Sequence, residues 1–240
     1  MAKMTPEILT EELKKSCGGN LVSVVLYGSS VAGDSVKTSD YNVLVVMDRV
    51  EMEDLLALTG LCSRWGREGN HAPLLFTKDN LARSADVFPV EFSDIKQTHR
   101  MLHGSDPFTE MEIDPALLRL ELEHELKSKL IILRENFLVT KGSPKEVERL
   151  LVASVSAFLT LFKAALRLYG ETPPARKMDV LPLLSKYIKF DEGIFPIVWE
   201  LKEGGKASGL TSLQTFSRYM PAVQSVTDAV DLWLQRAGTK

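Results

Sequence analysis

Residues 21–48 constrain this chain more than any other stretch. Leu21, Val22, Val24, Val25 and Leu26 form an apolar, largely β-branched run that Gly28-Ser29-Ser30 interrupts. A polar connection containing glycine follows from Val31 to Ser39. Asp40-Tyr41-Asn42-Val43-Leu44-Val45-Val46-Met47 then reads as a second strand with polar residues at its start. Side chains two apart on a strand share a face, so Asp40 and Asn42 face the same way. Gly28-Ser29, ending the preceding strand, can lie beside them. A turn that offers backbone N–H groups, next to an acidic strand end that can hold a cation, suits a metal-bound phosphate.

The rest of the first half alternates between helix and strand. Thr5-Pro6-Glu7 opens an amphipathic helix to about Lys15, which Cys17-Gly18-Gly19 stops. Glu51–Trp65 reads as a helix, Ala72–Phe76 as a third strand, and Thr77 as the N-cap of a helix from Lys78 to about Ser84. Val87–Phe92 reads as a fourth strand, with Pro89 favouring an edge or a bulge. Ser93 is placed to cap a short helix from Asp94 to about Met101.

The texture changes near Gly104-Ser105-Asp106-Pro107, and helices follow. Asp114-Pro115 combines an N-cap with proline at the first helical position. Leu118, Leu122, Leu126, Leu130, Leu133 and Phe137 then recur along one helical face. Ser143-Pro144-Lys145-Glu146 has the form of a capping box. The helix it opens, to about Tyr169, is apolar almost all round and belongs inside a bundle. Further helices are predicted around Lys177–Ile188, Phe195–Lys202 and Ser212–Gln235, with Glu203–Gly209 as a connection. The boundary between a strand-and-helix first half and an all-α second half lies near residues 105–114.

Composition narrows the partners. At 240 residues and 45% hydrophobic, the chain can bury one large core or two small ones. Residues 1–113 carry 17 Asp/Glu against 11 Lys/Arg, a balance of −6; residues 114–240 carry 15 against 18, a balance of +3. Neither half has the basic surface that duplex nucleic acid requires. Cys17 and Cys62 lack metal-ligand spacing and point to a reducing compartment. Met1–Lys15 does not read as a secretory signal, and no run approaches the ~20 apolar residues of a membrane helix. The expectation is a soluble, cytoplasmic protein.

Three polar features are candidates to converge: Gly28-Ser29 with Ser30 behind it, Asp40 with Asn42, and Glu91 near the end of the predicted fourth strand. Asp86 is the rival third carboxylate, on the opposite face of that strand by alternation. His99 and His103, four apart, could share a helix face but read as a solvated pair near a helix end. Lys37 reads as a surface-loop lysine, and Tyr27 and Tyr41 as core or half-core aromatics.

At these residues the chain resembles the nucleotidyltransferase superfamily of the polymerase β type. The family pattern is apolar-Gly-Ser, about ten residues, acid-x-acid on a strand, and a third acid on a later strand. Here it reads Leu26-Tyr27-Gly28-Ser29, ten residues, then Asp40-Tyr41-Asn42. The stretch Asp86-Val87-Phe88-Pro89-Val90-Glu91-Phe92-Ser93-Asp94-Ile95 also resembles bacterial members with a helical C-terminal bundle, of the kanamycin nucleotidyltransferase type. The resemblance implies an α+β fold: a small mixed sheet with flanking helices in residues 1–110, then an all-α helical bundle in 111–240. It implies transfer of a nucleoside monophosphate from a Mg-NTP to a hydroxyl, with release of pyrophosphate. Gly28, Ser29 and Ser30 would hold the nucleotide, and Asp40, Asn42 and Glu91 would occupy the Mg2+ and catalytic positions, with Glu91 the candidate base. The partners implied are a nucleotide and a small-molecule or protein acceptor, with no membrane; a homodimer is left open. The cleft is expected between the two halves.

Two departures remove charge. Asn42 stands where the second acid belongs, and Ala32 stands ahead of Gly33 where many members carry Arg. The resemblance with these departures implies weak Mg2+ binding and weakened or absent transfer. The alternative is a non-catalytic nucleotide-binding or partner-binding module on the same fold.

Overall fold

The computed structural model describes residues 4–32, 40–205 and 209–233. Gly33, Lys37 and part of the Glu203–Gly209 connection lie outside the described residues. The chain divides into two compact units, Met1–Asp114 and Pro115–Lys240.

The first unit contains α1 (Pro6–Cys17), β1 (Leu21–Tyr27), α2 (Ser29–Ala32), β2 (Asn42–Met47), α3 (Met52–Gly66), β3 (Leu74–Thr77), α4 (Lys78–Arg83), α5 (Pro89–Gln97) and β4 (His99–His103). The strands form one mixed sheet in the order β3-β2-β1-β4. β1 runs antiparallel to both β2 and β4, and β2 runs parallel to β3. Helices cover both faces, which is why β1 and β2 read as nearly continuous apolar runs. On one face Val24, Leu26, Val43 and Val45 pack with Leu9 and Leu13 of α1 and Leu58, Leu61 and Trp65 of α3. On the other Val25, Leu44 and Val46 pack with Leu81, Phe92, Ile95 and Phe108. Gly104, just after β4, has φ +75°, and a Cβ there would lie 1.9 Å from the Val22 carbonyl oxygen. Only glycine lets the chain turn so close to β1.

The expected strand Val87–Phe92 is not a strand. Pro89 opens α5, where its missing N–H costs nothing and its fixed φ suits the first helical turn. Val90, Phe92 and Ile95 are buried. Glu91 therefore sits in the first turn of a helix rather than at a strand end. Asp86 closes a 3-10 turn, Ser84–Asp86, so strand alternation does not relate the two carboxylates. Ser93 is not a cap but lies inside α5, its hydroxyl donating to the Pro89 carbonyl at 2.5 Å. The fourth strand is His99–His103, so His99 and His103 lie on a strand and not on a helix.

The second unit is helical: α6 (Pro115–Val139), α7 (Pro144–Leu168), α8 (Leu181–Leu184), α9 (Ile194–Lys202) and α10 (Ser212–Asp231). Leu118, Leu122, Leu126, Leu130 and Leu133 form the buried stripe of α6. By length and composition alone α7 could cross a membrane. It buries Val147, Leu151, Val155, Phe158, Leu159 and Phe162. Its Ser143 makes no side-chain cap, and Glu146 instead pairs with Arg149 at 2.7 Å. A capping box does form on α10, between Thr211 and Gln214. In place of the helix expected over Lys177–Ile188 the chain makes a 3-10 turn, Met178–Val180, and the single turn of α8.

Candidate active site

The site begins where β1 ends. Tyr27 pairs with Asn42 on β2 and with His99 on β4. Residues paired directly across a ladder project to the same face, so Tyr27, Asn42 and His99 share one side of the sheet, the side that α5 covers. Gly28 follows with φ +82°. Its carbonyl accepts from the Val31 N–H at 3.0 Å, folding Ser29–Ala32 into the one-turn α2. Ser29 and Ser30 are half-buried on this turn.

Asn42 closes over the turn. A Cβ built on Gly28 would lie 2.9 Å from Asn42 Nδ2 and 3.6 Å from its Cγ. Glycine is thus needed at position 28 twice over, for the left-handed φ and for the approach of the amide. The pairing of Tyr27 with Asn42 seats the Asn42 amide against the Gly28-Ser29 turn.

Asp40 lies two residues before Asn42 and is partly exposed. Its Oδ2 faces His71 Nε2 at 3.6 Å. No linear pattern in the chain points to His71. It arrives through the segment after α3: Asn70 Oδ1 accepts from the Tyr41 N–H at 2.9 Å, and Trp65 Nε1 donates to the His71 carbonyl at 2.9 Å. Tyr41 also stacks on Trp65, ring centroids 6.0 Å apart. This segment fixes the start of β2 and with it Asp40.

Glu91 enters from α5. It is exposed, and both it and Asp40 act on the Tyr27 phenol, which burial first and then these two negative charges push up to about 12. Glu91 acts on this tyrosine from the first turn of a helix and not from a strand end. His99 is committed elsewhere: Nδ1 meets the Ile95 carbonyl at 2.8 Å and Nε2 meets Asp106 Oδ2 at 3.2 Å. It ties β4 to α5 and to the loop beyond Gly104.

A hard cation such as Mg2+ prefers several oxygen donors, carboxylates foremost. The end of β2 offers one carboxylate and one neutral amide. Among the described residues no three His, Cys, Asp or Glu side chains gather within reach of one ion. Among the described residues, the end of β2 thus supplies a single carboxylate toward a Mg2+ ion.

The second unit carries a polar stripe of its own. Ser156, Thr160, Lys163 and Arg167 follow one another along α7 at steps of four, three and four. Lys163 is only 2% exposed, and its Nζ lies 3.5 Å from the Ala175 carbonyl oxygen. Lys177 Nζ donates to Ser156 Oγ at 2.9 Å.

No known protein family and no curated protein matches this chain by sequence. Its structure is similar to that of the spectinomycin adenyltransferase AAD(9) from Enterococcus faecialis, solved with ATP and spectinomycin. The TM-score is 0.59 at 9% identity, over 94% of this chain and 98% of that one. The chain has a nucleotidyltransferase fold: a small mixed sheet with flanking helices, followed by a helical region.

Proposed function

We propose that this chain, with its nucleotidyltransferase fold, is a cytoplasmic protein that recognises a nucleotide at Gly28, Ser29 and Ser30, with Asp40, Asn42 and Glu91 around it. Its capacity to transfer a nucleoside monophosphate to a hydroxyl acceptor, on a small molecule or a protein, is weak or lost. The observation that carries this reading is the Asn42 amide seated on Gly28 beside a single strand-end carboxylate. An amide and a carboxylate have nearly the same shape, so the fold tolerates the exchange while the charge is gone. A unit charge pair at 4 Å is worth ~4 kcal/mol gross at an effective dielectric of 20, and a divalent ion doubles it. Desolvation offsets much of this, and a residual ~3 kcal/mol is a factor of over a hundred in affinity or rate. Mg2+ accordingly binds weakly.

The chain's own residues have separable roles. The Gly28 turn lets a phosphate approach the backbone and the Ser29 hydroxyl adds a donor, while the Ser30 hydroxyl, which donates to the Tyr27 carbonyl at 3.5 Å, has to turn to add another. Glu91, exposed on α5, is the group able to take a proton from an acceptor hydroxyl. The reading of a binding module without catalysis is favoured by one observation, the lack of a three-acid cluster among the described residues.

Pyrophosphate release across a panel of hydroxyl acceptors tests the proposal. The unmodified protein is expected to show little or none, and Asn42→Asp to tighten Mg2+ and raise turnover. Robust Mg2+-dependent transfer that Asn42→Asp does not improve would refute an impaired site. Tighter metal binding by Asn42→Asp with no acceptor ever modified favours the binding module.

A further inference from the structure

Asn42 differs from a carboxylate in a second way, besides its charge. A carboxylate only accepts hydrogen bonds; an amide also donates two. The Asn42 atom nearest the Gly28 turn is the donor, Nδ2, at 2.9 Å from the position of a Cβ on Gly28. This donor therefore lies against the turn that carries Ser29 and Ser30. Asp40, the remaining strand-end carboxylate, lies 3.6 Å from the His71 imidazole.

Resting on the nucleotide-binding reading above, we infer that Asn42 donates directly to a phosphate oxygen, so that the site takes its nucleotide as the metal-free anion in preference to the Mg2+ complex. The sign follows from charge. A second carboxylate at position 42 would repel a bare phosphate and attract a phosphate masked by a divalent ion. An amide removes the repulsion and the attraction together, and adds a donor. The exchange thus shifts preference from the metal complex toward the free anion, whatever the absolute affinity. Metal withdrawal, which would empty a site built on two acids, leaves this one filled.

Calorimetric titration of the full chain with ATP, once in excess Mg2+ and once in EDTA, tests the inference. The unmodified protein is expected to bind ATP in EDTA at least as tightly as in Mg2+. Asn42→Asp should reverse the order, binding ten-fold or more tightly with Mg2+ than without. Asn42→Ala, which leaves position 42 uncharged and deletes the donor, should weaken binding in EDTA five-fold or more. Circular dichroism of each variant reports whether the fold is retained. Binding by the unmodified protein only in Mg2+ would overturn the inference and leave the nucleotide-binding reading standing. An Asn42→Ala variant that is folded and binds ATP in EDTA as the unmodified protein does would also overturn it. Absence of ATP binding in both buffers, by the unmodified protein and by Asn42→Asp, would remove the nucleotide-binding reading itself.

Discussion

Tyr27 shows how much one residue at a strand end can report. It is flanked by Asn42 and His99 on the ladder, and burial first, then the negative charges of Asp40 and Glu91, act on its phenol. The fold favours its neutral form, since ionisation is displaced from the ordinary value of 10.0 to about 12. For a group whose pKa is raised on folding, the stabilisation is present below the unfolded value and is lost as pH rises through the folded one. Stability is therefore expected to fall between pH 10 and 12, and Tyr27→Phe to flatten that fall. Urea denaturation at successive pH values measures it; superimposable profiles for the two proteins would mean that Tyr27 is not in this environment. The closeness of Gly28 to Asn42 was legible because a strand-ending glycine and a ten-residue spacing link them. His71 was not, because it reaches Asp40 through the Asn70 and Trp65 hydrogen bonds, which leave no periodic trace.

Secondary elements were legible where burial period and caps agree. β1, β2 and the α6 stripe of Leu118 to Leu133 read correctly because their apolar positions follow the period of the element they form. Val87–Phe92 misled because its β-branched and aromatic residues suit a strand, while Pro89 and Glu91 suit a helix start. The helix wins because Val90, Phe92 and Ile95 can all reach the core from it. Position 143 offered a serine and a glutamate at the right spacing, yet Glu146 turned to Arg149. A box that does form is Thr211 with Gln214, where the Thr211 hydroxyl accepts from the Gln214 N–H at 3.2 Å and Gln214 Oε1 accepts from the Thr211 N–H at 2.9 Å. Thr211→Ala should cost about 1 kcal/mol. Chemical denaturation would read this as a lower midpoint at unchanged slope. No loss of stability would show that α10 is held by packing alone.

At the scale of the whole molecule, the two units each have a core of their own. The second is closed by helix packing around Leu122, Phe158, Phe162, Phe195 and Tyr219, all nearly inaccessible to solvent. A fragment of residues 115–240 is therefore expected to fold by itself, with a helical far-ultraviolet spectrum and a cooperative thermal transition; a fragment that stays unfolded would contradict this. The first unit has a different dependence on the order in which the chain appears. Its central strand β1 is bordered by β2 on one side and by β4 on the other, and β4 is the last of the four strands in the chain, so that edge cannot close before β4 exists. At ordinary rates of synthesis the roughly 55 residues between Met47 and His103 take about 3 to 11 s to emerge. During that interval Val24 to Tyr27 present an open row of backbone donors and acceptors, the kind of edge on which nascent chains aggregate. The nucleotide turn at Gly28 follows directly on that edge, so a ribosome pause before His103 would prolong the exposure of the segment that carries the site.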